Sequence, residues 1–354
     1  MWTPLEPVVW TTKWMRELSR VQGIFLPRIE GEMRAVLDDL EPRETDLFGY
    51  LRYHLGWVDA QFEPCDGRAG KRLRPILCLL ACDACGGRWE KALPAAAAIE
   101  FLHNFTLIHD DIEDRDRTRR GRPTVWSVWG EAQGINAGDT LFSVSQLALL
   151  RLRRRGTAAA VVTEALRLFS ETCVTLTHGQ HLDIGFETRD DVTVDEYLTM
   201  IEGKTAALIA SSCELGALVA GGAPRARRAL RAFGRHAGLA FQMQDDVLGI
   251  WGEAAVTGKP VGSDIARRKK TLPLLHGLER SSDLRTLLSQ EALTEVDVRR
   301  ATRMLEELGS RAYAETLAGQ HYDRAVEALD AVPLQDAPAD AMRQLARKLI
   351  RRQK

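Results

Sequence analysis

The sequence predicts an all-α protein, a bundle of roughly ten or more helices around a central cavity. Leu, Ala, Arg and Glu are abundant in long stretches with helical spacing of apolar residues, and no alternating strand pattern bounded by turn residues occurs. The 354 residues contain no internal repeat, low-complexity linker or clear domain boundary. Residues 1–354 are therefore expected to form a single domain, with residues 1–20 as a candidate N-terminal extension.

The composition is ordinary for a soluble globular protein and argues against several other classes. Hydrophobic residues make up 45% and charged residues 27% of the chain, and the net charge of −1 provides no basic field for nucleic acid. No signal-peptide pattern and no run of 18 apolar residues occurs, which predicts a cytoplasmic protein without a transmembrane segment. Cys78, Cys82 and Cys85 lie in an apolar stretch, where free core cysteines are favoured over a metal site.

Helical patterns follow one another along most of the chain, with Pro75 and Pro94 placed in first turns, where a proline is tolerated. The first pattern predicts one long helix, or two if the helix breaks near Pro27. Two or three amphipathic helices are expected after Leu274. The predicted helices before that point cover Thr12–Leu40, Thr45–Gln61, a segment from Lys71, a segment from Pro94 to the first aspartates, Gly134–Arg155, Thr157–Asp183, Val194–Ile201, Ala206–Ala220 and Arg225–Trp251.

An acidic cluster at Asp110-Asp111-Ile112-Glu113-Asp114 runs directly into a basic one that includes Arg119 and Arg120. On a helix, Asp110 and Asp114 are four residues apart and face the same way. Carboxylates in this arrangement suit Mg²⁺, which takes the rest of its ligands from water and substrate phosphates, and arginines bind phosphate bidentately. A magnesium–diphosphate site and a solvated, charged helix end are both consistent with this stretch taken alone.

A second acidic pair, Asp245-Asp246, lies 135 residues after the first and is also followed by basic residues. The two motifs could hold Mg²⁺ ions that stabilise a leaving diphosphate. Lys204, Lys259 and Lys269 could bind its remaining oxygens. A second, metal-free diphosphate site could use the cations and the histidine that precede the first motif or follow it, namely Lys71, Arg74, His103 and Arg120. Two such sites beside an apolar cavity suggest the joining of two prenyl diphosphates.

The chain resembles the trans-isoprenyl diphosphate synthase (polyprenyl synthetase) family, short-chain type. The matching pieces occur in family order over about residues 65 to 275. They are Gly70-Lys71-Arg72-Leu73-Arg74-Pro75, Asp110-Asp111-Ile112-Glu113-Asp114, Arg119-Arg120-Gly121-Arg122-Pro123-Thr124, Gly138-Asp139, Gly179-Gln180, Lys204-Thr205, Phe241-Gln242, Asp245-Asp246 and Lys269-Lys270-Thr271-Leu272-Pro273.

The resemblance implies an isoprenoid synthase-like fold, a homodimer, and condensation of isopentenyl diphosphate with an allylic diphosphate, with about three Mg²⁺ ions per active site. Asp110, Asp114, Asp245 and Lys204 would be catalytic. Asp110, Asp111, Asp114, Asp245 and Asp246 would bind or support metal. Arg119, Lys204, Thr205, Gln242, Lys259 and Lys269 would bind the allylic diphosphate, and Lys71, Arg74, His103 and Arg120 isopentenyl diphosphate.

The second motif departs from the family pattern, because Gly249 stands where a third aspartate is usual. Either Asp245 suffices, or Glu253 restores a ligand further along. Phe105 and Thr106, five and four residues before Asp110, are expected to limit chain length. A bulky Phe105 beside a small Thr106 favours geranylgeranyl diphosphate (C20), with farnesyl diphosphate (C15) second.

Two other functions remain open. A class I terpene cyclase would ionise one prenyl diphosphate and would not need Lys71, Arg74 and Arg120. A non-catalytic partner subunit of a heteromeric prenyl synthase usually lacks an aspartate motif, whereas the first motif here is intact.

Overall fold

The computed structural model describes residues 12–40, 46–65, 67, 70–252 and 261–350, and for residues 12–20 only the backbone. The predicted all-α class is confirmed, because helices account for nearly all regular structure in these ranges. The first ten helices are α1 (Thr12–Leu40), α2 (Asp46–His54), α3 (Leu73–Ala84), α4 (Leu93–Glu113), α5 (Val125–Trp129), α6 (Glu131–Leu150), α7 (Ala159–Phe186), α8 (Val194–Ile201), α9 (Ala207–Val219) and α10 (Pro224–Trp251).

Further helices follow after residue 261, and short irregular turns join some of the longer ones. The helices are Ser263–Ala266, Leu272–Arg280, Ser282–Leu288, Glu295–Glu307, Ser310–Asp330 and Asp336–Ile350. Trp89–Ala92 and Arg151–Arg155 are 3₁₀ turns, and Glu202–Ala206 is a π-helical turn. The sheet described in these ranges is one antiparallel hairpin of β1 (Thr118–Arg119) and β2 (Arg122–Pro123).

Of the two alternatives left open for residues 12–40, the structure has the single helix, which contains Pro27. Two details differ from the sequence prediction. The helix predicted over Thr45–Gln61 is too long, because α2 ends at His54 and Gly56, with φ of 83°, lies in the turn that follows. Five helices rather than two or three follow from Leu272. The turns that separate them are only a few residues long, so adjacent helices are easily taken for one in the sequence.

The described residues fall into two compact units. Unit 1 contains residues up to Leu166, together with Leu215–Gly222 and Gln335–Gln344. Its centre is α4, which packs against α3 and α6. Residues Ala95–Ala98 and Phe101 of α4 are fully buried. The sequence of α4 is apolar on most sides for this reason.

Unit 2 contains Arg167–Glu214 and Ala223–Leu334, with residues from 345 onward. Its longest contact runs between α10 and the helix Ser310–Asp330. One core cluster includes Phe186, Tyr197 and Met243, which are almost completely buried. A capping box of Thr193 and Glu196 begins α8.

Candidate active site

The three aspartates of the first acidic motif differ in exposure. They lie at the end of α4: Asp110 is half-buried, Asp111 is 1% exposed and Asp114, the residue that caps the helix, is exposed. The Nε–H of Arg119 donates to Oδ1 of Asp111 at 2.6 Å, while the buried Oδ2 has no hydrogen-bond partner. Burial raises the pKa of Asp111 to about 6, although Arg119 acts in the opposite direction. Asp111 is thus anchored to the protein, and the carboxylates with the greater access to solvent are those of Asp110 and Asp114.

The hairpin that follows places Arg119 and Arg120. Arg120 and Gly121 form its two-residue loop with φ of 55° and 78°. Positive φ at both central residues is the geometry of a type I′ turn, in which glycine at the second position relieves strain. Arg122 fixes the hairpin by donating from Nη2 to the carbonyl oxygen of Val58 at 2.6 Å, and its guanidinium lies 4.1 Å from the ring centre of Tyr53.

Arg74, His103 and Arg120 form a half-buried cluster of two arginines and a histidine in unit 1. Nη1 of Arg74 lies 3.2 Å from Nε2 of His103. Burial first, and then Arg74, Arg120 and other nearby guanidinium groups, hold the pKa of His103 well below its ordinary value, so the ring is neutral and accepts from Arg74. Nε of Arg74 is buried without a partner. An anion would satisfy such a cluster, and bidentate binding by arginine favours a phosphate group.

Gly70, in the loop before α3, packs closely against Arg120 of this cluster. A Cβ atom on Gly70 would stand 2.8 Å from Nη2 of Arg120, so a side chain there would displace the guanidinium. Lys71 is exposed directly after Gly70. Arg72 has a structural position instead: its guanidinium is buried between Glu30 and Glu100, with Nη1 donating to Oε1 of Glu100 at 2.5 Å. The structure therefore brings Arg74, His103 and Arg120 together and places Lys71 at the approach to them.

His54 is a residue of this site that the sequence did not reveal. Its pKa lies well below the ordinary value because it is buried and faces Arg120, Arg119 and Arg72. Its Nε2 has no partner. His54 also lines a cavity of about 30 Å³ together with Asp111, Arg119 and Arg120, which is room for a water molecule. Nothing in the sequence marks His54, because only the packing of α2 beside the hairpin brings it there.

In the second acidic motif, Asp245 is exposed and Asp246 is 3% exposed. Oδ2 of Asp246 accepts from the hydroxyl of Tyr197 at 2.5 Å and from the backbone N–H of Leu272 at 3.0 Å. Oδ1 accepts from Nε2 of Gln242 at 3.1 Å. Burial raises the pKa of Asp246 to about 6, and Lys269 with these three donors opposes the rise. Both motifs thus pair a more open aspartate with a buried one that the protein holds by hydrogen bonds.

Lys204 and Thr205 lie in the π-helical turn, a feature that often occurs at functional sites. A Cβ atom on Gly179 of α7 would be 2.1 Å from the backbone nitrogen of Lys204, so α7 and this turn touch through glycine. Nζ of Lys204 donates to Oδ2 of Asp183 at 2.5 Å, and Oγ1 of Thr205 donates to Oε1 of Gln242 at 2.8 Å. Unit 2 therefore brings together Lys204, Thr205 and Gln242, with Asp183 as a partner not predicted from sequence.

Lys269 lies in the same acidic surroundings. Desolvation lowers its pKa, but Asp183, Asp246, Asp264 and Asp245 together raise it above the ordinary value and keep the ammonium group charged. A Cβ atom on Gly249 would be 2.0 Å from Oδ2 of Asp264. Lys259 and Glu253, both singled out in the sequence, lie outside the described residues.

Phe105 packs against two other aromatic rings. Its ring lies 5.2 Å from that of Phe142 and 4.8 Å, edge to face, from that of His109. Thr106 donates its hydroxyl to the carbonyl oxygen of His103 at 2.8 Å. The hydroxyl of Thr106 is thereby satisfied within its own helix.

The donors at the two acidic motifs fit Mg²⁺. Among the described residues, no group of three or more His, Cys, Asp or Glu is arranged to hold a metal ion by itself. Mg²⁺ does not require such a group, because one or two carboxylates, several waters and substrate phosphates complete its octahedron. The acidic motifs offer only hard carboxylate oxygens, and Oδ2 of Asp111 has no partner within the protein. No helix in the described part of the chain is long and apolar enough to cross a membrane.

Comparison with known sequences gives consistent matches over most of the chain. A sequence model of the polyprenyl synthetase family matches residues 57–308. The (2E,6E)-farnesyl diphosphate synthase of Mycobacterium tuberculosis is 40% identical over 346 residues, covering 96% of this chain and 94% of that protein. The geranylgeranyl diphosphate synthase of the same organism is 44% identical over 299 residues, covering 83% and 84%.

Solved structures also match over most of the chain. A polyprenyl synthetase from Streptomyces coelicolor has a TM-score of 0.86 at 37% identity, with 95% of this chain and 99% of that one covered. A geranylgeranyl pyrophosphate synthase from Corynebacterium glutamicum, complexed with isoprenyl diphosphate and magnesium, has a TM-score of 0.80 at 28% identity, with 95% and 99% covered.

Proposed function

The chain belongs to the polyprenyl synthetase family and is a trans-prenyltransferase, and we propose that it condenses isopentenyl diphosphate with an allylic diphosphate. The observation that carries the proposal is the half-buried Arg74–His103–Arg120 cluster, whose Arg120 lines one small cavity with Asp111 of the first acidic motif. A second anion site is needed only by an enzyme that binds two diphosphates.

The proposed roles divide the residues between a site for Mg²⁺ with the allylic diphosphate and a metal-free site for isopentenyl diphosphate. Asp110, Asp114 and Asp245 would hold Mg²⁺, with Asp111 and Asp246 supporting them from buried positions. When bound, Mg²⁺ neutralises the charge that develops on the departing diphosphate. Arg119, Lys204, Thr205, Gln242, Lys259 and Lys269 would bind the allylic diphosphate.

Isopentenyl diphosphate would lie against Lys71, Arg74, His103 and Arg120. His103 is neutral, so its ring accepts from Arg74 and keeps that guanidinium oriented without adding a charge that would repel it. In the reaction, the C–O bond of the allylic diphosphate breaks and the double bond of isopentenyl diphosphate attacks the resulting cation. A proton then leaves to the released diphosphate. Cations preorganised around both diphosphates lower the free energy of this charge separation.

The proposed product is geranylgeranyl diphosphate (C20), with farnesyl diphosphate (C15) as the second choice. The aromatic contacts of Phe105 with Phe142 and His109 support a closed end to the chain-binding space beneath the first motif. Both lengths occur in the names of the mycobacterial relatives.

A homodimer and a cytoplasmic location belong to the same proposal, as does a single isoprenoid synthase-like domain spanning residues 1–354. Helix α6 exposes Ile135, Leu147 and Leu150, each more than 40% exposed, which supports burial against a second copy. All six cysteines are free, in keeping with a reducing compartment. Sedimentation of the purified protein would distinguish the dimer from the monomer.

The test of the reaction is incubation with geranyl diphosphate, radiolabelled isopentenyl diphosphate and Mg²⁺. Chain elongation that is lost in Asp110→Asn supports the proposal. Cyclisation of geranyl diphosphate without isopentenyl diphosphate would support a terpene cyclase. Absence of turnover by the correctly folded protein would support a non-catalytic partner subunit.

A further inference from the structure

The last turn of α2 is fixed to the hairpin of β1 and β2 at Tyr53. The hydroxyl of Tyr53 donates to the carbonyl oxygen of Pro123 at 2.8 Å. In return, Nη1 of Arg122 donates to the carbonyl oxygen of Tyr53 at 3.2 Å, and the same guanidinium lies over the tyrosine ring. The next residue of α2 is His54, so these contacts also set the place of His54 beside the hairpin.

His54 and Asp111 line one small cavity, and each has a polar atom without a hydrogen-bond partner among the described residues. The cavity has a volume of about 30 Å³ and is also lined by Arg119, Arg120 and Arg122. The two atoms are Nε2 of His54 and Oδ2 of Asp111, and both are buried. Buried polar atoms in folded proteins are nearly always hydrogen-bonded, to protein or to ordered water. A ligand in this cavity is therefore expected to satisfy both atoms.

The chemistry of the lining selects water as this ligand. The three guanidinium groups disfavour a cation, and the carboxylate of Asp111 disfavours an anion. A phosphate group is too large for a volume of about 30 Å³, whereas a water molecule fits and finds the two to four polar partners that a buried water needs. Such a water can donate to Oδ2 of Asp111, pair with Nε2 of His54 and accept from a guanidinium.

The ring of His54 suits this place because it stays neutral beside the arginines. Burial, and then the charges of Arg120, Arg119 and Arg72, hold the pKa of His54 well below its ordinary value. A neutral imidazole has one nitrogen that donates and one that accepts, so water can pair with Nε2 in either tautomer. The neutral ring also adds no charge that would repel the guanidinium groups or compete with them for diphosphate.

We infer that His54 is a positioning residue of the two diphosphate sites, and that it acts through a water molecule shared with Oδ2 of Asp111. Oδ1 of Asp111 already accepts from Nε–H of Arg119 at 2.6 Å. A second bond, at Oδ2, fixes the plane of the carboxylate and with it the guanidinium of Arg119. Arg120 lines the same cavity from the next position of the hairpin. The inference rests on the proposed function and deepens it: His54 orients Arg119 for the allylic diphosphate and Arg120 for isopentenyl diphosphate.

Titration calorimetry with isopentenyl diphosphate in the absence of Mg²⁺ tests the inference without turnover. His54→Leu offers no polar atom and is expected to weaken binding by about five- to fiftyfold, the range that follows when a buried polar atom loses its partner. His54→Gln places a polar atom near the position of Nε2 and should bind within about threefold of the wild type. His54→Asn reaches only the position of Nδ1 and should resemble His54→Leu. His178→Asn is a matched control, because His178 is exposed on α7.

A shared water also predicts coupling between His54 and Asp111. The double variant His54→Leu with Asp111→Ala should bind isopentenyl diphosphate no more weakly than the weaker of the two single variants, because either substitution alone removes the shared water. In the elongation assay, the KM for isopentenyl diphosphate should follow the same order as the dissociation constants, while kcat changes less.

Recovery in His54→Gln together with a loss in His54→Asn supports the inference and excludes misfolding as the cause of the loss. Equal losses in these two variants would overturn it, as would fully additive losses in the double variant. If the wild type elongates chains and His54→Leu has an unchanged affinity and KM for isopentenyl diphosphate, the inference alone fails. If the wild type does not elongate chains, the proposed function fails.

Discussion

Replacing Tyr197 with phenylalanine removes one hydroxyl from a buried network and leaves the ring in place. The side chain is 1% exposed, and its hydroxyl donates to Oδ2 of Asp246 at 2.5 Å. A hydrogen bond to a charged group contributes about 1.5–3 kcal/mol, and one between neutral groups about 0.5–1.5 kcal/mol. The free energy of unfolding should therefore fall by about 1.5–3 kcal/mol at pH 8, where Asp246 is ionised, and by about 1 kcal/mol at pH 5.

The pH dependence has a definite sign. The pKa of Asp246 in the folded protein, about 6, lies above its ordinary value of 3.8. The folded protein therefore holds the proton of this carboxyl group more tightly than the unfolded chain does. The contribution of that proton to the free energy of unfolding is lost as the pH rises through 6. Without the hydroxyl of Tyr197 the pKa of Asp246 rises further. The difference between wild type and variant must grow between pH 5 and pH 8.

Urea unfolding followed by circular dichroism at the two pH values measures this difference. Tyr53→Phe is a matched control: Tyr53 is 5% exposed, and its hydroxyl donates to the neutral carbonyl oxygen of Pro123 at 2.8 Å. That variant should lose about 1 kcal/mol at both pH values. A loss in Tyr197→Phe that is independent of pH, or at pH 8 no larger than in Tyr53→Phe, would refute the assignment of an ionised, hydrogen-bonded Asp246.

Three further substitutions test other parts of the site. Phe105→Ala should shift the products of chain elongation to greater length, as measured by chromatography of the dephosphorylated prenols; an unchanged product spectrum would remove its role in limiting chain length. The depressed pKa of His103 leaves its ring neutral in the folded state, whereas the unfolded chain takes up a proton as the pH falls. Acidification from pH 6.5 to 5 should therefore lower the free energy of unfolding by up to about 2 kcal/mol through this residue. Thermal unfolding of His103→Gln should be less sensitive to acid by a corresponding amount. Gly179→Ala should lower stability by about 1–3 kcal/mol, since its Cβ atom would be 2.1 Å from the nitrogen of Lys204, whereas Gly185→Ala, with open space around it, should be nearly neutral in the same urea titration.

The helical fold was predictable because local patterns determine it. Proline at the first turn of α4, a capping box at α8 and apolar spacing in the long helices are all visible in the sequence. The ends of helices were less predictable. The turn that stops α2 at His54 depends on the loop that follows, where the N–H of Gly67 bonds to the carbonyl oxygen of Gly56 at 3.0 Å.

The charged motifs in the sequence predict which residues belong to the site. The exposure and hydrogen-bond partners of each residue are known only from the structure. Asp110 and Asp111 are equivalent in the sequence, yet one is half-buried and the other is buried against Arg119. Helical periodicity predicts that Asp110 and Asp111 face different ways. It does not predict the partner of Asp111, because Arg119 comes from the hairpin that follows the helix. The same distinction separates Asp245 from Asp246.

Long-range partners were not predictable at all. His54, Asp183 and Asp264 carry no motif that ties them to the site. They are found there because α2, α7 and the segment after Gly262 pack beside residues that do. Gly249 departs from the family pattern, and the structure adds that a Cβ atom there would lie 2.0 Å from Oδ2 of Asp264, 15 residues further along the chain.

The ratio of diphosphate released to isopentenyl units incorporated tests the central claim most directly. With geranyl diphosphate, labelled isopentenyl diphosphate and Mg²⁺, the account predicts one diphosphate released for each unit incorporated, and negligible release when isopentenyl diphosphate is left out. Rapid release of diphosphate from geranyl diphosphate alone would contradict it, because the Arg74–His103–Arg120 cluster would then have no second substrate to bind.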